Sequence, residues 1–154
     1  MAKPKVLMNN EGKKYLVKDS SKDYHSADGY FSTKDISGKK EKIASNKGKE
    51  FSCFDPTFLD LYQKIKRNAQ IITLKDIGLI ITETGIGKDS VVVDAGAGSG
   101  ALSCFLAHIC KKVTAYELRD DFITIVKKNK EMLGLKNFTV KKGSVYSDVT
   151  EKNI

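Results

Sequence analysis

Several absences narrow what this chain can be. No apolar run approaches the ~20 residues that cross a bilayer; the longest, Ala101 to Cys110, falls far short. The opening Met1-Ala-Lys-Pro-Lys lacks the apolar core of a secretory signal. Three cysteines, Cys53, Cys104 and Cys110, form an odd set without CxxC or other metal-ligand spacing. A disulfide framework and a zinc module are thereby excluded. Reduced core thiols fit the pattern, and a cytoplasmic location goes with them. Only two histidines occur. His25 falls in a polar stretch with no nucleophile or ligand partner, and His108 lies in a helical pattern whose nearest reactive neighbour is Cys104. Neither reads as catalytic.

Positive charge is abundant. The 154 residues carry a net charge of +8, unevenly placed. Residues 1–70 hold 15 Lys and Arg against 9 Asp and Glu, a net of +6; residues 71–154 hold 12 against 10, a net of +2. A basic front half suits an anionic partner, nucleic acid being the commonest. A uniformly basic surface is the plainer alternative.

Residues 1–54 read as a small β module. KVLMN and KYLVK flank the turn Asn9-Asn10-Glu11-Gly12, and KIAS and EFSCF flank Asn46-Lys47-Gly48, giving two hairpins. Asp28-Gly29 marks a further turn before Tyr30 and Phe31. Lys39, Lys40, Lys42, Lys47 and Lys49 crowd this region. Asp55-Pro56 then predicts a helix start, with Asp as N-cap and Pro at the first helical position. Its apolar stripe is Phe58, Leu59, Leu61, Tyr62 and Ile65. Lys64, Lys66 and Arg67 fall in its last turn, where cations suit the helix dipole. Contact with RNA phosphates is the other reading, and the residues leave both open.

The remainder, within a segment 55–154, follows a β-α-β-α-β order, which implies an α/β fold with a parallel sheet and right-handed crossovers. Thr73 caps a helix over 74–84 that Gly85 stops, with Ile77, Ile80 and Ile81 on its buried face. Val91 to Ala95 is expected as a short buried strand ending at Asp94. Gly96, Gly98 and Gly100 alternate through a tight turn. A helix begins at Ala101, with Leu102, Phe105, Leu106 and Ile109 facing the sheet. VTAYE (113–117) is the second strand. A helix opening at Asp120 or Asp121 carries Phe122, Ile125, Val126, Met132 and Leu133 and stops at Gly134. Phe138 to Lys141 is the third strand.

A strand that runs through alternating glycines into a helix is a loop for a nucleotide-type cofactor, because it lets backbone approach a ligand. Two cofactors compete. Gly96-x-Gly98-x-x-Ala101 matches a relaxed dinucleotide fingerprint, and Glu117 stands about 20 residues on, as a ribose-binding acid should. Asp94 discriminates. Its carboxylate would face a pyrophosphate with like charge, whereas S-adenosylmethionine brings a cationic ammonium and sulfonium. S-adenosylmethionine is therefore the expected cofactor, with an NAD-dependent oxidoreductase as the competing class.

The runs QIITLKD (Gln70 to Asp76), TGIG (Thr84 to Gly87), DAGAGSGAL and YELRDDF resemble the tRNA (adenine-N1)-methyltransferase family in its archaeal or bacterial form. The KGKEF hairpin (Lys47 to Phe51) and the D-P-T-x-x-D segment (Asp55 to Asp60) extend the likeness over essentially the whole chain. The resemblance implies a partial Rossmann-like class I methyltransferase sheet behind a small, tRNA-binding β module. It implies that Gly96, Gly98, Ser99 and Gly100 hug the methionine part of the cofactor. Glu117 would take both ribose hydroxyls, Leu118 would pack on the adenine, and Ser144 would sit near the adenine amino group. Many methyltransferases carry Asp at that last position. Gln70 to Ile72 would border the pocket. Lys39, Lys40, Lys42, Lys47 and Lys49, with Lys64 and Arg67, would grip tRNA phosphates.

The family's next strand ends in an Asp-(Leu/Met)-Pro block whose aspartate is expected to hold the target adenine. No such block occurs in these 154 residues. The expectation is a fragment, a shortened chain or one half of a split enzyme. It would be inactive or weakly active alone, with an open apolar edge on the strand at Val91 that a second copy or second chain completes. A non-catalytic RNA-binding or partner subunit that keeps the scaffold is the alternative.

Overall fold

The computed structural model describes residues 3–38, 40–68 and 70–152. The chain divides into two compact units, residues 1–63 and 64–154. Lys39 lies outside the described residues. Among those described, no helix is long and apolar enough to cross a membrane.

In the first unit, β1 (Lys5–Met8) pairs antiparallel with β2 (Lys14–Val17) across the Asn9 turn. Asn9 Oδ1 organises that turn by accepting the Glu11 and Lys13 N–H groups at 3.1 and 2.9 Å. β3 (Tyr24–Ser26) and β4 (Gly29–Phe31) form a separate hairpin. His25 therefore sits on a strand, against the expectation of a loop. A short helix that the sequence pattern did not suggest, α1 (Thr33–Ser37), is capped by Ser32. β5 (Lys42–Ala44) and β6 (Glu50–Phe54) complete a sheet of order β2-β1-β6-β5. Leu7, Val17, Phe31, Ile36, Ile43, Phe51 and Cys53 fill its core. Phe31 meets Phe51 edge to face at 5.0 Å.

The next helix, α2 (Phe58–Tyr62), corrects the sequence reading at both ends. Its N-cap is Thr57, not Asp55. Thr57 Oγ1 accepts the Asp60 N–H while Asp60 Oδ2 accepts the Thr57 N–H, a reciprocal capping box. Asp55 instead pairs with Lys5 at 2.9 Å. The helix stops at Tyr62, so Lys64, Lys66 and Arg67 are not in its last turn. Asp60 also pairs with Lys14 of β2 at 2.8 Å. These two ion pairs tie residues 55–63 to the strands, which is why the first unit runs past residue 54.

The second unit begins with α3 (Leu74–Thr84), capped by Thr73 and closed by Gly85 at φ 65°. β7 (Val91–Ala95), α4 (Ala101–Ile109), β8 (Lys112–Glu117), α5 (Asp120–Met132) and β9 (Phe138–Lys142) follow. The three strands are parallel in the order β7-β8-β9. β8 is central and buried from Val113 to Glu117. β7 has one neighbour among the described residues; Val91 is exposed and Val92 and Val93 are half-buried, contrary to the buried strand expected. The face of α4 is also shifted. Ala101, Ser103, Cys104, Leu106 and Ala107 are buried, while Leu102, Phe105 and Ile109 are half-buried. On α3 only Ile77 is buried; Ile80 and Ile81 are half-buried. All three cysteines are free and buried, and burial pushes the Cys104 thiol up to about 12, an inert state.

Asp28 is the electrostatic hub of the first unit. Lys13 and Lys49 approach it at 2.7 and 2.6 Å, and the Tyr15 hydroxyl donates to it at 2.5 Å. These partners hold its carboxyl well below the usual carboxylate range. A depressed folded pKa contributes stability that is present above the unfolded value of ~3.9 and is lost as pH falls through the folded one. Urea titrations should therefore show stability falling below about pH 4. Asp28→Asn should lower the neutral-pH midpoint and flatten that acid limb; an unchanged limb would remove Asp28 as its source.

Candidate functional site

Asp94 is the penultimate residue of β7, and it lines a cleft of about 230 Å³. The other walls are the turn Gly96 to Ser99, Ala101 and Leu102 of α4, and the strap Gln70 to Ile72. Ser103, fully buried on α4, donates to Asp94 Oδ2. Among the described residues no cationic side chain forms an ion pair with Asp94. Burial pushes its carboxyl up, and the Ser103 hydrogen bond opposes that rise. An ionised carboxylate held this way suits a cationic ligand.

The turn after Asp94 is held by protein acceptors. The N–H groups of Gly96 and Ala97 both donate to the Tyr116 carbonyl at 3.0 Å. The Gly98 N–H donates to Glu117 Oε2 at 2.8 Å, and the Gly100 N–H to the Ala97 carbonyl at 2.7 Å. Glu117, buried at the end of β8, also accepts the N–H groups of Leu118 and Arg119 through Oε1, at 2.9 and 3.0 Å. Gly100 has φ 75°, and a Cβ there would meet Val126 of α5 at 3.0 Å. Its smallness serves helix packing.

Of the residues singled out from the sequence, Gln70, Asp94, Gly96, Gly98 and Ser99 line the cleft together. Glu117 adjoins it through Gly98. Leu118, the next residue, is 62% exposed, an apolar surface beside that carboxylate. The Gly143 N–H donates to the Glu117 carbonyl at 3.1 Å, which places Ser144 next to the same strand ends. The Ser144 N–H donates to Asp148 Oδ2 and its Oγ accepts the Tyr146 N–H. The proposed RNA-binding lysines are dispersed. Lys49 is paired with Asp28 and Lys40 with Asp35, while Lys47 donates to the Ala27 carbonyl at 3.4 Å. Lys42, Lys64 and Arg67 are exposed.

Sequence reasoning missed Ser103 and Asn129. Asn129 is 1% exposed on α5 and makes three hydrogen bonds to the loop and strap backbone. Its signal was legible: a polar residue within the stripe of Phe122, Ile125 and Val126.

The parallel sheet, the glycine turn and the paired acids Asp94 and Glu117 define an α/β chain of the class I methyltransferase type. A family model described as "Ribosomal RNA adenine dimethylase" matches residues 62–153, and the chain belongs to that family. A tRNA (adenine(57)-N(1)/adenine(58)-N(1))-methyltransferase of Methanocaldococcus jannaschii is 35% identical over 90% of this chain and 49% of its own length. A SAM-dependent O-methyltransferase structure from Thermotoga maritima superposes with TM-score 0.86 at 26% identity, covering 99% of this chain and 60% of that one. The tRNA (m1A58) methyltransferase of Aquifex aeolicus has the same fold, with TM-score 0.76 at 24% identity, covering 97% and 60%. The resemblance read from the motifs is thus borne out. The chain spans about half the length of the curated relatives it matches.

The raised carboxyl of Asp94 sets a testable sign. A folded pKa above the unfolded one gives stability that is fully present below ~3.9 and is lost as pH rises through the folded value. Asp94→Asn keeps the Ser103 bond and removes the buried charge, so thermal melts of the ligand-free chain at pH 7 should move up. A lower melting temperature would contradict this. Gly100→Ala should destabilise by more than about 1 kcal/mol in urea titrations, from the positive φ and the Val126 contact.

Proposed function

We propose that the cleft binds S-adenosylmethionine and that the chain serves methylation of an adenine in tRNA. The observation that carries this reading is Asp94: a half-buried carboxylate, without a cationic partner among the described residues, beside a glycine turn. The residues fit the cofactor's chemistry. Asp94 would hold its ammonium, the exposed Leu118 would pack on its base, and Glu117 would take its ribose hydroxyls. When bound, that cofactor supplies an electrophilic methyl group. Gly96, Ala97, Gly98 and Gly100 already donate their N–H groups to protein acceptors, which disfavours a pyrophosphate and so an NAD-type ligand.

The tRNA substrate and adenine N1 rest on the likeness to the Methanocaldococcus jannaschii enzyme. The exposed lysines of the first unit suit a polyanion, and a cytoplasmic location goes with the same reading. No catalytic residue is assigned within this sequence. The single-neighbour edge of β7 supports added strands from a second copy or a second chain.

Calorimetry tests the cofactor directly. S-adenosylhomocysteine, which keeps the ammonium, should bind; NADH should not. Asp94→Asn should weaken the binding by about ten-fold or more, the loss of a charge-assisted hydrogen bond in a buried site. No heat with the homocysteine compound would leave a scaffold without a cofactor, the alternative reading. A filter-binding series with tRNA should show affinity falling steeply between low and physiological salt; salt-independent retention would exclude a phosphate grip.

A further inference from the structure

We propose that Asn129 is a positioning residue, a staple that sets the width of the cofactor cleft by holding its two walls to one helix. This rests on the cofactor reading above. Gln70, Ile71 and Ile72 form one wall, a few residues beyond the stretch Lys66 to Asn68, and the glycine turn forms the other. The two walls are distant in sequence and share no β pairing. Asn129, on α5, bonds to Ser99 of the turn and to Lys66, four residues before the first residue of the other wall. Its Oδ1 accepts the Lys66 N–H at 2.7 Å. Its Nδ2 donates to the Lys66 carbonyl at 3.0 Å and to the Ser99 carbonyl at 2.9 Å. The Asn68 N–H donates to Ser99 Oγ at 3.2 Å and closes the circuit. Lys66, Asn68, Ser99 and Asn129 thus form one hydrogen-bonded unit, with the amide of Asn129 at its centre.

The chemistry of asparagine explains the choice. One planar side chain presents an acceptor and two donors. It can satisfy both backbone groups of Lys66 and still hold a third partner. Serine has one hydroxyl donor, aspartate has none when ionised, and leucine would leave the Ser99 carbonyl without this partner in a buried place and both Lys66 groups without theirs. The position lies on the helix stripe that faces the sheet, where an apolar residue is the default. Fold stability alone does not call for an amide there. The requirement comes from residues 66–68, which belong to no helix or strand and are tied to α5 and the glycine turn by these bonds.

The test separates positioning from plain stability. Asn129→Ala removes all three bonds. Asn129→Asp keeps the size and the acceptor for the Lys66 N–H but loses both donations. Asn137→Ala is the control: Asn137 Nδ2 donates to the Ala107 and Cys110 carbonyls at 2.8 Å each, at the far end of α4 from the cleft. Circular dichroism fixes a temperature at which all variants are folded, and if Asn129→Ala does not fold, Asn129→Asp carries the test. Both Asn129 variants should bind S-adenosylhomocysteine about ten-fold or more weakly, and amide exchange should accelerate together in residues 66–72 and 96–100. Asn137→Ala should lose stability yet keep affinity within about two-fold and leave both segments protected. Asn129 variants with wild-type affinity, or with faster exchange in only one segment, would overturn the proposal. If the wild-type chain shows no heat with the homocysteine compound, the cofactor reading fails, and the exchange data alone decide whether the staple exists.

Discussion

The second unit is organised by the carboxylate of Glu117. This one side chain accepts the N–H groups of Gly98, Leu118 and Arg119, and its own carbonyl accepts the N–H of Gly143. The side chain therefore fixes the course of the glycine turn and the exit of the chain from β8, while the backbone carbonyl of the same residue holds the end of β9. A carboxylate offers about four acceptor positions. Three are engaged, which leaves about one for a ligand. If ribose hydroxyls take two bonds from Glu117, one backbone bond must lengthen or exchange, and the Gly98 N–H is the one that borders the cleft. Ligand binding and loop geometry are thus coupled by the capacity of a single side chain.

The same economy of donors decides what kind of head group can enter. Anion sites at helix N-termini work because backbone N–H groups point outward without partners. Here those of Gly96, Ala97, Gly98 and Gly100 point to protein oxygens, and the charged group at the cleft is Asp94. An anion would meet a like charge there. A cation would meet a carboxylate already desolvated by the fold and steadied by Ser103. Keeping Asp94 charged and buried works against the ligand-free chain, since burial raises its carboxyl. A stability cost at a ligand contact is typical where structure is preorganised for a partner of opposite charge.

Much of this was legible because the signals were local. Thr73 and Gly85 bound α3, and Gly134 at φ 66° follows α5. Turn residues at Asn9 to Gly12 and Asn46 to Gly48 set the hairpins. The failures share one cause, a partner remote in sequence. Asp55-Pro56 and Thr57-x-x-Asp60 are rival helix starts within six residues. The second prevails because Asp60 completes a reciprocal cap and pairs with Lys14, while Asp55 is drawn to Lys5. No local window contains either lysine. The burial of β7 was overestimated for a related reason. An apolar run reports the tendency to be covered, not the number of strands present to cover it. Asn129 was visible as a polar interruption of an apolar stripe, but its partner Lys66 stands 63 residues away.

Charge is where counting residues misleads most. The first unit is rich in lysine, yet Lys5, Lys13, Lys14, Lys22, Lys40 and Lys49 all face carboxylates. The pairs are not equivalent toward a competing phosphate. Lys40–Asp35 at 3.5 Å joins two well-exposed side chains, an interaction worth about 0–1 kcal/mol, and a phosphate can displace it readily. Lys13 and Lys49 share Asp28, whose side chain is 9% exposed, and drawing either lysine away would leave that carboxylate under-compensated in a shielded place. Lys42 and Lys47 have no carboxylate partner among the described residues. A polyanion would therefore engage Lys42, Lys47 and, by exchange, Lys40, while Lys13 and Lys49 stay with the fold. The effective basic surface of this unit is set by which carboxylates are buried, and the net charge alone overstates it.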